Sequence, residues 1–521
     1  MFQQTSIRDV YNFMLDNNLS TSKNMINGKQ GNVLEDLIKN LADICIDKNL
    51  MERKLIDMHK IYQKSKGEVY TPLNVITELF NALKGYYPDF FTKPIRFYDG
   101  CCGTGNAHVV VKEFLKEGRS HLYENEDAFE IDVITNSLFG NDIQKRNCIL
   151  SCTNIDPKGL VSDNKNFTCE DFENLIGKYP DNHFDLGFLN PPYAISTTEG
   201  KMSSRPFVKY GIFLKEMTRI CKVCVFVHPI KSIANRSNTP ETNKIVRDII
   251  MSKHVRELHC YDQITSLKNI FTEANISGGV ATYIYDKDYE GDTKIRAYYN
   301  DFEFEEEMMK DCSEYKKHPT FVYSAIANSI IQKVMNSSDF VSLSSIISKT
   351  KPFGFRGAYT GFSEYPTEEQ TVFLQTKKSP VAYVSMNDIK NNKDCVANWK
   401  CYVAKTNSGS GTFPHTFYSK TPGVSVCVGK PNSCCTESYF LVDGTGKYLY
   451  DEESCKNFVT YCYTKFHSFL AYVSTLTQDT WNNSYYHVPL LDFSRKWTDE
   501  DLQKKYNLTD EEMSFISKII A

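Results

Sequence analysis

Apolar side chains recur at helical spacing near the start of the chain. Between residues 32 and 63 they return every three or four positions, as on one face of an amphipathic helix: Val33, Leu34, Leu37, Ile38, Leu41 and Ile44. This spacing predicts an N-terminal helical segment, which we place at residues 1–64.

From about residue 95 the pattern changes to short apolar runs, such as IRFYDG and FDLGFLN, that alternate with helical patterns such as AHVVVKEFLKEG. Strands that alternate with helices are typical of a mostly parallel sheet covered by helices on both faces. The pattern therefore predicts an α/β domain over residues 65–300. Ligands of such sheets bind beyond the carboxyl ends of the strands.

A charged stretch with little pattern, DFEFEEEMMKDCSEYKKHP, follows this domain, and we interpret residues 301–320 as a linker. Beyond it the chain is rich in glycine, serine, tyrosine and short β-branched runs. This texture predicts a separate α+β domain at residues 321–521, whose loops would carry its contacts.

Composition narrows the class of protein. The chain has 521 residues, of which 41% are hydrophobic and 24% are charged, as in an ordinary globular protein. It has no apolar run near the roughly 18 residues of a membrane span and no secretory signal at its start, so we expect an intracellular, cytoplasmic protein that does not bind membranes. Its 17 cysteines then indicate reduced thiols. With a net charge of -4, any surface for nucleic acid would have to be local.

The first chemical signal is a glycine-rich stretch from Tyr98 to Asn106, YDGCCGTGN, between the strand IRFY and a helix that begins near Ala107. Glycines let the backbone pass close to a ligand, and a helix N-terminus favours a carboxylate or a phosphate. The alternative is a tight turn without a ligand. No G-K-[ST] follows, so the stretch does not match a P-loop.

The second signal is Asn190-Pro191-Pro192-Tyr193, which follows the buried-strand pattern FDLGFL. Two prolines restrict the backbone and leave its carbonyls free. The Asn190 side-chain oxygen and the Pro191 carbonyl could then accept hydrogen bonds from one amino group, while Tyr193 offers a flat face to a planar base. A chance turn is the alternative.

In this order the two motifs resemble those of the gamma-class N6-adenine DNA methyltransferases of restriction-modification systems, and the resemblance extends from about residue 67 to the C-terminus. It implies a Rossmann-like domain that uses S-adenosylmethionine and a C-terminal target-recognition domain. The implied reaction is methyl transfer to N6 of an adenine flipped out of double-stranded DNA, without a metal.

The resemblance also implies where the cofactor binds. A segment ending in Tyr70-Thr71-Pro72 would line its methionine end, the glycine-rich stretch would cradle it, an acidic residue would bind the ribose, and Asp171 with Phe172 and Phe213 would contact the adenine. The full set implied is Tyr70, Thr71, Pro72, Asp99, Cys101, Cys102, Gly103, Gly105, Asn106, Asp142, Ile143, Asp171, Phe172, Asn190 and Phe213.

One departure from the family concerns the acidic ribose ligand. Asp142, which ends the strand pattern SLFGND, lies farther beyond Asp99 than the family's spacing. We interpret HLYENEDAFEIDVITN, residues 121–136, as an insertion. If that segment instead contains the strand, Glu124 or Glu126 would be the ribose ligand.

For catalysis the resemblance implies Asn190, Pro191, Pro192 and Tyr193, together with Phe271 as an aromatic that packs on the flipped base. Core packing is the alternative for Phe271. Two pairs of cysteines, CKVC at residues 221–224 and Cys148 with Cys152, indicate core thiols, because no second pair follows at zinc spacing.

Candidate DNA contacts lie in two loops of the C-terminal region, because a reader of DNA needs clustered cations and side chains that reach base edges. They are Lys349, Lys351 and Arg356, which accompany Phe353 and Phe355, and Lys405, His415 and Lys420. The alternatives are that the cations are solvated and that His415 packs against its aromatic neighbours.

Other functions remain open at this point. The chain could be a modification subunit that needs a separate specificity subunit, a protein-glutamine methyltransferase, or a DNA-binding protein without activity. We expect double-stranded DNA as partner and no DNA cleavage by this chain, and the sequence leaves a separate restriction endonuclease open.

Overall fold

A computed structural model describes most of the chain beyond residue 69. The described residues are 70–162, 164–193, 210–233, 240–262, 265–266, 270–271, 279–299, 302–305, 322–406, 413–419, 421, 423–475 and 480–521. The helical segment predicted at residues 1–64 lies outside them.

The chain divides into two compact units. The first comprises Met1–Val227, Ile270–Ala274 and Ile284–Asp288, and the second comprises His228–Asn269, Asn275–Tyr283 and Tyr289–Ala521. These bounds do not coincide with the linker predicted at residues 301–320, which moreover contains a strand at Phe302–Glu305. The predicted division into domains at residues 65–300 and 321–521, with a linker between them, stays a prediction.

In the first unit helices and strands alternate, as the pattern predicts. The elements are α1 (Leu73–Tyr86), β1 (Phe97–Asp99), α2 (Asn106–Arg119), α3 (Glu126–Asn136), β2 (Leu138–Asn141), α4 (Lys145–Ile155), β3 (Phe167–Thr168), β4 (Phe184–Leu189), α5 (Tyr210–Ile220) and β5 (Cys221–Pro229). Short 3-10 turns lie at Phe90–Thr92, Ser120–Leu122 and Phe172–Leu175.

These five strands are parallel and follow the order β3-β2-β1-β4-β5. The order reverses at β1, which is the topological switch point where doubly wound α/β sheets bind ligands. The predicted Rossmann-like α/β fold is therefore confirmed.

A cluster of phenylalanines packs α1 and α2 against the central strands. The ring of Phe80 on α1 is fully buried, and it meets four others edge to face at centroid distances of 6.2–6.3 Å: Phe91, Phe97, Phe114 and Phe188. Because Phe97 lies on β1 and Phe188 on β4, this packing holds together the two strands that carry the motifs.

The second unit combines helices and strands. Its elements are α6 (Pro240–Ile250), β6 (Val255–Tyr261), β7 (Val280–Asp286), β8 (Lys294–Tyr299), β9 (Phe302–Glu305), α7 (Ala325–Met335), β10 (Gln370–Gln375), β11 (Tyr383–Ser385), β12 (Lys400–Ala404), β13 (Val426–Gly429), β14 (Ser433–Cys435), β15 (Tyr439–Val442), α8 (Glu452–Cys462), α9 (Lys465–Val473), α10 (Asp499–Tyr506) and α11 (Asp510–Ile519). The last residues of β7 belong to the first unit.

Strands of this unit form three sets, in the orders β7-β6-β8-β9, β11-β10-β14 and β13-β12-β15. A hydrophobic core between the two three-stranded sheets contains Val372, Leu374, Tyr402 and Leu441. Three late helices begin with capping boxes, in which the side chain of the N-cap residue and that of the residue three positions later each accept from the other's backbone N–H: Asp451 with Ser454, Thr498 with Asp501, and Thr509 with Glu512.

The described cysteines are all free thiols, and Cys221 and Cys224 are fully buried, as predicted for core thiols. Among the described residues, none of the helices is long and apolar enough to cross a membrane. The same residues contain no group of three or more histidine, cysteine or acidic side chains that could hold a metal ion.

Candidate active site

Three polar side chains of the motifs come together where neighbouring strands end. β1 pairs with β2 on one side and with β4 on the other, both in parallel. Asp99 ends β1, Asp142 follows β2, and Asn190 follows β4. Because the carboxyl ends of parallel strands meet at one edge of a sheet, this register gathers the three side chains in the first unit.

The glycine-rich stretch after β1, residues 100–106, forms a tightly packed loop that we call the glycine loop. Gly103 and Gly105 have φ of +52° and +82°, values that L side chains rarely adopt. A Cβ on Gly103 would lie 2.4 Å from the ring of Tyr70, and one on Gly105 would lie 2.4 Å from Oγ of Ser151. The loop therefore needs glycine for its backbone conformation and for space, which argues against an ordinary surface turn.

Asp99 is a buried carboxyl group at the base of this loop, with 2% of its surface exposed. Its Oδ1 accepts a hydrogen bond of 3.1 Å from the backbone N–H of Cys101. Burial, with a smaller contribution from the nearby Asp142, raises the pKa of Asp99 to about 8. A cationic group placed beside it would favour the charged form.

Asp142 is turned toward the glycine loop. Its Oδ2 accepts from the backbone N–H of Gly103 at 3.0 Å, and its Oδ1 accepts from the backbone N–H of Gln144 at 2.8 Å and from Nδ2 of Asn147 at 3.2 Å. The next residue, Ile143, has 65% of its surface exposed despite being apolar. The carboxylate of Asp142 and the exposed apolar side chain of Ile143 thus lie next to each other at the end of β2.

The structure places the strand before Asp142, not within residues 121–136. Glu126 instead starts α3, where its carboxylate pairs with Lys116 at 2.5 Å and with Lys158 at 3.8 Å. Glu124 is exposed in the turn before that helix. Of the three acidic candidates only Asp142 therefore lies at a strand end, which was the condition for a ribose ligand.

Asn190 contacts Thr71, 119 residues earlier in the chain. Its Nδ2 donates to Oγ1 of Thr71 at 2.9 Å. The backbone carbonyl of Thr71 in turn accepts from Nδ2 of Asn106, the first residue of α2, at 3.0 Å. A threonine from the predicted cofactor motif thus connects the predicted catalytic asparagine to the end of the glycine loop.

Two pairs of aromatic rings belong to the predicted site residues. The rings of Phe172 and Phe213 pack on each other with centroids 4.5 Å apart and are almost fully buried, and their contact with a cofactor stays a prediction. Phe271 has only 3% of its surface exposed, and its ring meets that of Tyr193 edge to face at 6.4 Å. Burial thus favours core packing for Phe271, the alternative that the sequence left open.

The remaining predicted cofactor residues differ in how far they are exposed and in what they contact. The carboxylate of Asp171 caps its own 3-10 turn by accepting from the backbone N–H of Glu173 at 3.0 Å. The Cys102 side chain is buried, whereas that of Cys101 is partly exposed. Pro72 and Asn106 are also partly exposed.

Sequence reasoning missed two asparagines that support this site. Asn141 is 1% exposed and donates to the carbonyls of Gly100 and Glu170 at 3.3 and 3.0 Å. Asn147 is 2% exposed and joins the hydroxyl of Tyr70 to Asp142, at 3.3 and 3.2 Å. The position of Asn141, a polar residue within a short apolar strand, could have indicated its role, whereas nothing in the sequence marks Asn147.

The predicted DNA contacts in the second unit do not all lie on the surface. Lys349 and Arg356 are exposed, whereas Lys351 pairs with Glu437 at 3.5 Å. The ammonium of Lys405 stands 5.3 Å from the ring centroid of Trp481. Lys420 lies outside the described residues.

His415 is buried, with 7% of its surface exposed, and this contradicts its prediction as a DNA contact. Its Nε2 lies 2.7 Å from the hydroxyl of Tyr472 and 3.3 Å from Oδ2 of Asp262, and its ring stacks on Tyr472 at 4.2 Å. The physical reason is the one that the sequence left as an alternative, packing against aromatic neighbours. Phe353 and Phe355, predicted beside the cations, are likewise core residues.

Comparison with known proteins agrees with the first unit's geometry. Residues 51–238 match the family described as N-6 DNA Methylase, so the predicted resemblance to N6-adenine methyltransferases is confirmed over that region. None of the proteins with curated functions matches the sequence.

Several solved structures are similar to this chain. One is the M protein of the type I restriction enzyme EcoKI, with 13% identity over 44% of this chain and 48% of that chain and a TM-score of 0.32. A type I methyltransferase subunit from Streptococcus thermophilus has 16% identity over 49% of this chain and 52% of that chain, with a TM-score of 0.34. DrdV, whose structure was solved in complex with DNA, has 11% identity over 91% of this chain and 60% of that chain, with a TM-score of 0.48. The chain thus spans less than two thirds of each, and at these values the likenesses do not establish a function for it.

We expect the glycine loop to be intolerant of a methyl group at Gly105. In Gly105→Ala the left-handed backbone costs roughly 1–2 kcal/mol and overpacking against Ser151 roughly 1–3 kcal/mol more. Gly177→Ala is the matched control, because Gly177 has φ of +78° but no atom within 4 Å of the place that an added methyl group would take. Denaturant unfolding measures both, and equal losses in the two variants would contradict the close packing at Gly105.

Proposed function

We propose that this chain is a site-specific adenine DNA methyltransferase, which transfers the methyl group of S-adenosylmethionine to N6 of an adenine flipped out of double-stranded DNA. The observation that carries the proposal is the juxtaposition of Asn190-Pro191-Pro192-Tyr193, leaving β4, with the glycine loop, leaving β1. This juxtaposition lies in the region that matches the N-6 DNA Methylase family.

The residues at the strand ends fit the cofactor. Buried Asp99 would accept the α-ammonium of the methionine part, because a cation relieves the cost of holding a charged carboxylate there. Asp142 would accept from ribose hydroxyls, and exposed Ile143 would cover one face of the cofactor's adenine. S-adenosylmethionine, when bound, supplies a methyl group on a positively charged sulfur.

Asn190 and Pro191 would bind the amino group that is methylated. The lone pair of an adenine amino nitrogen is delocalised into the ring, so the nitrogen is a poor nucleophile. Two acceptors, Oδ1 of Asn190 and the carbonyl of Pro191, would hold its two N–H groups in a more pyramidal geometry and direct the lone pair toward the methyl carbon. The protein thus contributes position and polarity.

Tyr193 would stack on the flipped adenine. An adenine in a duplex cannot reach this pocket, and extruding it costs a few kcal/mol, which stacking helps to offset. Tyr193 is partly exposed, whereas Phe271 is buried, and the two rings meet edge to face. We therefore assign stacking to Tyr193 and support of that ring to Phe271.

Residues 321–521 would select the DNA site. The groups around Asn190 must hold any flipped adenine in the same way, so they cannot read its neighbours. Lys349 and Arg356 are exposed in one segment of the second unit and can reach phosphates or base edges. Lys351 contributes less charge to DNA, because Glu437 neutralises it.

Asn190→Ala should lower the single-turnover rate of methylation by about 10² or more, by analogy with removal of one preorganised hydrogen-bonding group. Binding of S-adenosylmethionine, measured by calorimetry, should be largely retained. Asn136→Ala, at the exposed end of α3, is a matched control that should leave the rate unchanged. Near wild-type methylation by Asn190→Ala would contradict the proposed function.

Cofactor affinity should rise with pH through the titration of Asp99. With a pKa of about 8 this carboxyl is mostly protonated at pH 6.5, and an ammonium beside it would drive the proton off. Affinity should therefore increase about tenfold per pH unit below pH 8, with about one proton released. Calorimetry in two buffers of different ionisation enthalpy counts the proton, and an unchanged count in Asp99→Asn would show that another group releases it.

Lys349→Ala and Arg356→Ala should each weaken binding to duplex DNA. If each cation contacts one phosphate, its loss should reduce the slope of log affinity against log salt concentration by about 1. Lys496→Ala, exposed in the same unit, is the control and should leave the slope unchanged. An equal change in the control would remove the assignment of these two residues.

A further inference from the structure

Thr71 lies where three parts of the candidate active site meet, and only 4% of its surface is exposed. Its hydroxyl oxygen accepts from Nδ2 of Asn190 at 2.9 Å, and its backbone carbonyl accepts from Nδ2 of Asn106 at 3.0 Å. A threonine that served only as one wall of a cofactor pocket would not need the first of these contacts.

An asparagine side chain has two different ends, a donor and an acceptor. With Nδ2 of Asn190 directed to Thr71, the amide turns Oδ1 to the other side. The proposed reaction needs an acceptor for the N–H of adenine at Asn190. An amide rotated by 180° would present its own N–H groups there instead, and two donors would face each other. The hydrogen bond from Nδ2 to Thr71 therefore supports the orientation in which Asn190 can bind the amino group.

Contacts of its backbone and of the neighbouring Pro72 hold Thr71 in place beside Asn190. Threonine is β-branched and has few side-chain rotamers. Its carbonyl is bound by Asn106, whose own Oδ1 accepts from the hydroxyl of Thr104 at 3.2 Å. On the other side Pro72 precedes α1, and its carbonyl accepts from the backbone N–H of Ile76 at 3.1 Å. Thr71 is thus fixed between the starts of α1 and α2.

The same contacts place Asn190 relative to the glycine loop. Thr104 lies in that loop, and its carbonyl accepts from Nδ2 of Asn154 on α4 at 2.8 Å. Thr71 and Asn106 therefore connect the Asn190 amide to the glycine loop, which we propose holds the methyl donor. An error of about 1 Å between reacting groups can cost about 10²-fold in rate.

We propose that Thr71 is a positioning residue for methyl transfer: its hydroxyl holds the Asn190 amide with Oδ1 toward the amino group of the target adenine. This inference rests on the proposed function, since it assigns Asn190 an acceptor role in that reaction. Thr71 acts here through Asn190 and not by contact with the reacting atoms.

Thr71→Val and Thr71→Ser test the hydroxyl. Valine keeps the shape of threonine but offers no acceptor, so the single-turnover rate of methylation should fall about tenfold or more, while the dissociation constant of S-adenosylmethionine changes less than about twofold. Serine keeps the hydroxyl and should restore the rate to within about threefold of wild type. A Thr71→Val protein that reacts at the wild-type rate, or that loses cofactor affinity in proportion to rate, would overturn the inference.

A double-mutant cycle with Asn190→Asp separates orientation from packing. A carboxylate has two acceptor oxygens and no donor end, so no wrong orientation exists for Thr71 to prevent. In that background Thr71→Val should change the rate by less than about twofold. An equal loss in both backgrounds would assign Thr71 a packing role. Should Asn190→Asp be inactive, the serine and valine variants decide alone.

The two proposals fail in different ways. A wild-type protein that transfers no methyl group to adenine in duplex DNA would overturn the proposed function and this inference with it. An active wild type whose rate does not depend on the Thr71 hydroxyl would overturn only the positioning role. Thermal unfolding of each variant detects a Thr71→Val protein that has lost its fold, in which case Thr71→Ser against wild type remains the comparison.

Discussion

The position of β1 between two parallel partners is the constraint on which the candidate active site depends. Asp99 is in register with Gly140 of β2 and with Phe188 of β4, so the three strands end within a residue or two of one another. A slip of one residue would turn Asp99 to the other face of the sheet. Asn141 strengthens this register from the side, because its amide donates to the carbonyl of Gly100 beyond β1.

The glycine loop beyond the carboxyl end of β1 also has little free space around it. A Cβ on Gly100 would meet the ring of Phe172 at 2.4 Å, and the other loop glycines have a tyrosine or a helix equally close. The loop is therefore bounded by side chains on several sides, with the buried Asp99 beneath it. Asp142 accepts from the backbone N–H groups of Gly103 and Gln144 and from Nδ2 of Asn147, and Asp99 accepts from the backbone N–H of Cys101, so N–H groups of the loop and of its neighbours hold both carboxyl groups in place.

Much of this arrangement could be predicted from sequence, because it depends on local patterns. Apolar runs and glycines mark where strands end, so Asp99, Asp142 and Asn190 could be placed at strand ends from the order of residues alone. The rest depends on contacts that spacing does not encode. The burial of His415 comes from Tyr472 and Asp262, far away in the chain, and the strand Phe302–Glu305 comes from pairing with β8 despite its charge.

The link between Thr71 and Asn190 could not be read from sequence for the same reason, since 119 residues separate them. This hydrogen bond joins the motif that contains Thr71 to the motif that contains Asn190. The resemblance assigns one motif to the cofactor and the other to the base, and the hydrogen bond joins the Asn190 amide to a residue beside the glycine loop.

Charge also bears on the DNA recognition that we propose for residues 321–521. Among the described candidates, Lys351 is paired to Glu437 and His415 is buried, whereas Lys349 and Arg356 are exposed. Electrostatic attraction supplies most of non-specific binding, so a reader with few phosphate contacts would have weak non-specific affinity and a shallow salt dependence. Its specificity would then rest on direct contacts to base edges, and Tyr365, with 76% of its surface exposed, lies in the segment that follows Arg356. Under the proposed function, a protein with a net charge of -4 would in this way select DNA sites without binding strongly to DNA in general.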